Sequence, residues 1–111
     1  MKFMMFVCTD TQPETDEAAV PSIEQWVADT HDKGRAIMGE RLADATTATT
    51  VRVRGGELLL TDGPFAETTE VICGFDILEV ADLDEAIEIA RNHPMAYAGR
   101  IELRAFDPLD L

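Results

Sequence analysis

The sequence predicts an α+β fold, and three observations carry that expectation. Six runs of strand length rich in apolar residues are spaced along 111 residues. Two other stretches place apolar residues at helical spacing behind a capping residue. A Gly55-Gly56 pair sits between two strand-like runs, where a tight hairpin turn needs positive φ at both central positions. The resulting order is strand, helix, strand, hairpin, strand, helix, strand.

Residues 3–8 form a continuous apolar run, the pattern of a strand covered on both faces. Residues 9–19 are polar, contain Pro13 and several acids, and read as a loop. Ser22 with Gln25 fits a capping box that opens the first helix. Ile23, Trp26, Val27 and Thr30 then share one face, and Asp29 with Lys33 forms an i,i+4 pair. Gly34 ends that helix in the left-handed region. A strand is expected over 35–42 and a loop over 43–48. The hairpin arms are 49–54, which alternates at period two, and 57–61. Residues 71–80 read as a strand. Asp82 and Glu85 cap a helix over 83–92, stopped by His93-Pro94, because the residue before proline disfavours helical ψ. The last strand is expected over 100–106.

Two helices and an antiparallel sheet in this order suggest a ferredoxin-like βαββαβ protomer with an added hairpin, both helices on one sheet face. The other face would be bare, and a second copy would cover it, so a homodimer is expected. The net charge of −13, with 22 acidic against 9 basic residues, argues against binding nucleic acid or an anionic membrane. Cys8 and Cys73 lie in apolar runs without a C-x-x-C spacing and read as free thiols of a reducing compartment. The apolar start of the chain is too short for a signal peptide, and the expected location is cytoplasmic.

Between the hairpin and the following strand lie Thr61, Asp62, Gly63, Pro64, Phe65, Ala66, Glu67, Thr68, Thr69 and Glu70. Asp62 before Gly-Pro can accept a downstream amide and fix the turn; an aspartate held that way stays ionised and can also act as a general base. Were the loop to fold back, Glu67 would approach Asp62, and paired carboxylates split their pKa values for acid–base work. Gly63 and Pro64 shape the backbone facing a ligand, and Phe65 packs in the core, in a dimer interface or on a pocket wall. Met38 is an apolar candidate for the same wall, and Glu40 adjoins Gly39, where backbone approaches a ligand closely. His31 and Asp32 are adjacent and point apart on a helix, so His31 would act as acid or base with a carboxylate from elsewhere. Both His31 and His93 sit near helix C-termini, where the dipole favours the protonated ring. No third metal ligand stands at a helical or hairpin spacing, so no metal is expected; no cofactor is implied.

The run from Thr61 to Thr68 closely resembles the signature of the DGPF, or YCII-related, family. Supporting matches include Gly39-Glu40 with Leu42, Thr50 to Arg54 before Gly-Gly, Gly74-Phe75, Asp84 to Ile87, Pro94, and Glu102-Leu103-Arg104. The resemblance implies a single such domain over residues 1–111, a dimeric α+β barrel, and a cleft between sheet and helices. In the wider group a His–Asp pair in the cleft suggests enzyme-like roles, and some relatives look linked to alternative sigma factors. Two positions depart from the pattern: Thr69 stands where many members have Lys, and Asp76 where many have Trp. Ungapped alignment puts Ile23 where the group's histidine is expected, so that pair is not expected here. The resulting expectation is a small organic molecule bound, and turned over by acid–base chemistry, in a cleft at the Asp62 to Glu67 loop. Its competitor is a non-catalytic module that meets a protein partner through Arg52, Arg54 and the acidic surface, in a transcriptional circuit.

Overall fold

Four strands build the main sheet of this computed structural model, which describes residues 1–63 and 71–110. In chain order the elements are β1 (Lys2–Thr9), α1 (Ile23–Thr30), β2 (Ala36–Arg41), β3 (Thr49–Arg54), β4 (Glu57–Asp62), β5 (Ile72–Glu79), α2 (Leu83–Arg91), α3 (Met95–Ala98) and β6 (Gly99–Ala105). The sheet order is β2-β5-β1-β6, every neighbour antiparallel, while β3 and β4 pair only with each other. The class is α+β, as the sequence pattern predicts. No helix among the described residues is long and apolar enough to cross a membrane.

Local chemistry explains the helix ends. The Ser22 hydroxyl accepts from the Gln25 amide at 3.2 Å and caps α1, but the Gln25 side chain turns forward to Asp29 rather than closing the box. Asp82 caps α2 by accepting from the Glu85 amide at 2.9 Å. Glu85 in turn accepts from the Ala81 amide and lies 3.5 Å from Arg35. Gly34 adopts φ +72, which lets the chain reverse from α1 into β2, and Gly55 and Gly56 (φ +57 and +77) make the hairpin turn. Pattern reading missed α3: four residues after a proline carry no helical periodicity.

Register decides which side chains form the core. Phe3 faces Leu78, Met5 faces Asp76 and Leu103, and Val7 faces Gly74 and Ile101, so these residues share the inner sheet face. Trp26 of α1 and Ala86, Ile89 and Ala90 of α2 pack onto Phe3, Met5, Val7, Ala36 and Leu78. The seating of α1 is uneven. Trp26 and Thr30 are buried, whereas Ile23 and Val27, expected on the same apolar face, stay about two-fifths exposed (42% and 38%). They overhang a part of the sheet that the core does not fill.

The hairpin stands away from this body. The radius of gyration is 16.3 Å, against roughly 13 Å for a compact chain of this length. Val51 pairs with Leu60 and Val53 with Leu58, so one hairpin face is an apolar ladder, each member 58% to 63% exposed. The buried end of the core is where stability concentrates. Replacing the fully buried Leu78 with Ala should cost about 2–5 kcal/mol, seen as a lower urea midpoint at unchanged slope. The single tryptophan, Trp26, buried in the same cluster, supplies the fluorescence signal.

Candidate functional site

The unfilled part of the inner face opens a cavity of about 690 Å³, within the size range of small-molecule sites. Its floor is sheet: Val7, Gly39, Gly74 and Asp76. Its wall is α1, through Ile23, Trp26, Val27 and His31; His93 and Met95 close one end, and residues 41–45 and Val71 border the mouth. The small floor residues explain the space. Glycine inside a strand contributes no side chain to pack, and two of the seven glycines stand here.

Two residues far apart in sequence meet at this floor. His31 caps the C-terminus of α1, and its Nε2 lies 2.7 Å from Oδ1 of Asp76 on β5. With Asp76 ionised, the ring N–H donates to the carboxylate, and Nδ1 is left as the imidazole's acceptor. Asp76 is 7% exposed, and burial raises its pKa above the usual carboxylate range; the hydrogen bond and charge of His31 pull the other way. A buried carboxylate without such a partner would be strongly unfavourable. Room for it comes from β2. Gly39 lies opposite Asp76, and a Cβ there would overlap the aspartate's carboxyl group and come 2.9 Å from the Phe75 carbonyl oxygen. Here glycine is required by space, since its φ is not in the left-handed region.

Trp26 organises the rest of the wall. Its Nε1–H donates to the Ile89 carbonyl at 2.9 Å, which ties α1 to α2. The indole meets both imidazoles edge-on, His31 at 5.5 Å and His93 at 4.6 Å between ring centroids. His93 is 6% exposed, and burial pushes its pKa down to about 4. Burial therefore outweighs the helix end's preference for the protonated ring at His93. A helix terminus favours the cation by roughly 0.3–1 kcal/mol, while a shift of this size corresponds to about 3 kcal/mol against it.

The sequence-expected residues separate in space. His31 lines the cavity; Glu40 borders it, but it pairs with Phe75, and by alternation its exposed side chain shares the outer face with Met38. Asp62 ends β4 on the hairpin, exposed and not among the cavity residues, so it stands apart from His31. Gly63 follows it at φ +93, its amide donating to the Ala48 carbonyl and its carbonyl accepting from the Thr50 hydroxyl. Met38 pairs with Ile77 and faces the outer side of the sheet, 45% exposed. Pro64, Phe65 and Glu67 lie outside the described residues, and with them the Asp62–Glu67 pairing. Asp76 was missed as a site residue. Strand alternation could have found it, because Gly74, Asp76 and Leu78 share one face, and an acid inside that apolar row needs a partner. Both cysteines are free, and burial raises the Cys8 thiol. Among the described residues no three side chains of metal-ligating type cluster.

Fold and site together define a small α+β protein with a histidine–carboxylate pair at the floor of a largely apolar cavity. The model of the YCII-related domain matches residues 1–109, and the chain belongs to that family. An uncharacterized protein of Rhizobium meliloti (strain 1021) is similar, 48% identical over 52 residues. That match covers 47% of this chain and 42% of the relative, so the similarity spans less than half the length of either.

Burial of His93 fixes the sign of a pH effect. The unfolded chain takes up a proton near the ordinary value of 6.5, and the folded chain does so only near 4. Stability that is fully present above pH 6.5 is therefore lost as pH falls towards 4, by about 3 kcal/mol from this group. Asp76, with its raised pKa, acts in the opposite sense, costing stability as pH rises out of the acidic range. Denaturant titrations from pH 7 to 4 should show wild type losing more stability than His93→Gln, which has no ring to titrate. Parallel curves would contradict the burial of a neutral ring.

Proposed function

We propose that the protein binds a small organic molecule in the cavity above the main sheet and turns it over by acid–base chemistry. His31 is the base and Asp76 the residue that orients it. The observation that carries this reading is the 2.7 Å contact between His31 Nε2 and Asp76 Oδ1 at a cavity floor. A carboxylate on one ring nitrogen fixes the tautomer, leaves Nδ1 free to take a proton, and stabilises the imidazolium that results. The apolar wall of Ile23, Trp26 and Val27 suits a flat apolar ligand, and Glu40 stands at the edge of the same space. This moves the proposed site from the Asp62 to Glu67 loop to the α1–β5 junction.

The working form proposed is a homodimer of ferredoxin-like protomers in a reducing, cytoplasmic setting. The β2-β5-β1-β6 order supports that topology, and the free cysteines support that setting. Met4, Phe6, Phe75 and Ile77 occupy the outer sheet face without a covering element among the described residues, and Arg104 lies over the Phe6 ring at 5.7 Å. The hairpin ladder adds a second exposed apolar strip, and a second copy would cover both.

Two experiments test these readings. A metabolite library screened by melting shift should give compounds that stabilise wild type, with the shift reduced in His31→Gln and Asp76→Asn. For a hit with an acidic C–H, exchange of that hydrogen in deuterated water should slow roughly 100-fold or more in His31→Gln, the scale of a general base. Hits indifferent to both substitutions would remove the site. Light scattering should give twice the protomer mass for wild type and the single mass for a Val51→Asp, Leu60→Asp double variant. A monomeric wild type would end the dimer reading.

A further inference from the structure

The second histidine of the cavity differs from the first in a way that assigns it a task. The Met95 amide donates to His93 Nδ1 at 2.9 Å. A backbone N–H can only donate, so Nδ1 holds its lone pair there and the ring proton is on Nε2. Among the described residues no acceptor meets that Nε2–H, and none of their fully shielded side-chain nitrogens or oxygens lacks a hydrogen-bond partner. Nε2 is thus reached from the open space His93 lines, which is the cavity. The ring cannot readily become a cation, because protonating Nδ1 would set two donors against each other and burial disfavours the charge. Trp26, packed on the ring at 4.6 Å and anchored to Ile89, keeps its orientation.

We propose that His93 is the cavity's fixed neutral hydrogen-bond donor, presenting Nε2–H to an oxygen of the ligand, so that the ligand class is a flat carbonyl compound that can enolise. This rests on the acid–base reading of the His31–Asp76 pair. His31 Nδ1 takes the proton from the carbon next to the carbonyl. The C–H electron pair becomes the new carbon–carbon double bond, and the carbonyl π pair moves onto oxygen. His93 Nε2–H then hydrogen-bonds the resulting enolate oxygen, a bond that strengthens as charge develops. Return of the proton to the same carbon gives exchange or epimerisation. Where the ligand is β,γ-unsaturated the enolate is a dienolate, and return of the proton to its γ carbon completes an isomerisation without any other reactant. A neutral donor suits this task better than an imidazolium here, because it is present at all pH values above its low pKa and brings no cation into an apolar wall.

The test uses the full-length protein and para-substituted phenols, whose phenolate oxygen stands for the enolate oxygen. Nitrogen-15 correlation spectra of the free protein should show His93 as the Nε2–H tautomer, unchanged from pH 8 to 5.5, with the Nε2 proton moving downfield when phenol binds. Phenolate affinity should fall about tenfold or more in His93→Phe, and less in His93→Gln, whose amide N–H can stand near the lost donor. A His93 that titrates near 6.5 or carries its proton on Nδ1 overturns the inference. So does a wild type that binds no phenol, or phenol affinity equal in wild type and both variants. The two readings fail separately. Carbon-acid exchange that needs His31, beside phenol binding that ignores His93, sinks only this inference. Phenol held by His93, beside exchange indifferent to His31, sinks the acid–base reading and with it the enolisable ligand class, and leaves His93 as the donor.

Discussion

Everything around the cavity depends on one contact, His31 Nε2 to Asp76 Oδ1 at 2.7 Å. An acid on the inner face of a sheet costs several kcal/mol if nothing meets it. Three features remove that cost together. The helix α1 ends at Thr30, so His31 comes off its last turn above β5. Gly34, at positive φ, turns the chain back so that β2 runs beside β5. The register between those strands then sets Gly39 opposite Asp76, where any side chain would strike the carboxyl group. Helix length, turn and register are separate matters of local chemistry, and the pair exists only where all three agree.

The environment gives two identical side chains unlike chemistry. Both histidines follow a helix, and both meet Trp26 in a T-shaped contact. His31 has a carboxylate on one nitrogen and partial exposure, 27% for its side chain. His93 has a backbone donor on one nitrogen and almost no exposure, which holds it neutral. The partner of the ring nitrogen, acceptor in one case and donor in the other, separates them. Helix dipoles act on both alike and are too weak to override burial at His93.

Much of the fold was legible because it rests on short-range rules. Ser22 and Asp82 cap where they stand, Gly55-Gly56 turns where it stands, and period-two alternation marks β3 without knowledge of any neighbour. The site was not legible in the same way, since its central pair spans 45 positions of sequence. Whether Asp76 faces inward depends on register, and a slip of one residue would turn it outward. The register here also carries two irregularities, between Val7 and Cys8 in β1 and between Ala36 and Met38 in β2. Such bulges shift the count of faces without a clear mark in composition. Asp62 stands in a dense run of turn residues and acids, a local signal that says nothing of what lies across space.

The position of the cavity follows from where the strands lose their side chains. Along β5 the inner positions run Gly74, Asp76, Leu78, from none, through a short acid, to a fully buried hydrophobe. On β2 they run Ala36, then Gly39 and Arg41 after the bulge, with Arg41 exposed at the mouth. The core therefore fills at one end, where Phe3, Leu78, Ala36 and Trp26 meet, and cannot fill at the other. Ile23 and Val27 overhang that gap with their apolar surface partly open. Packing them down would have needed larger floor residues, and a larger residue at Gly39 would have displaced the Asp76 carboxyl group. The glycine that makes room for the acid is thus one that leaves room for a ligand, which ties the chemistry of the site to its volume.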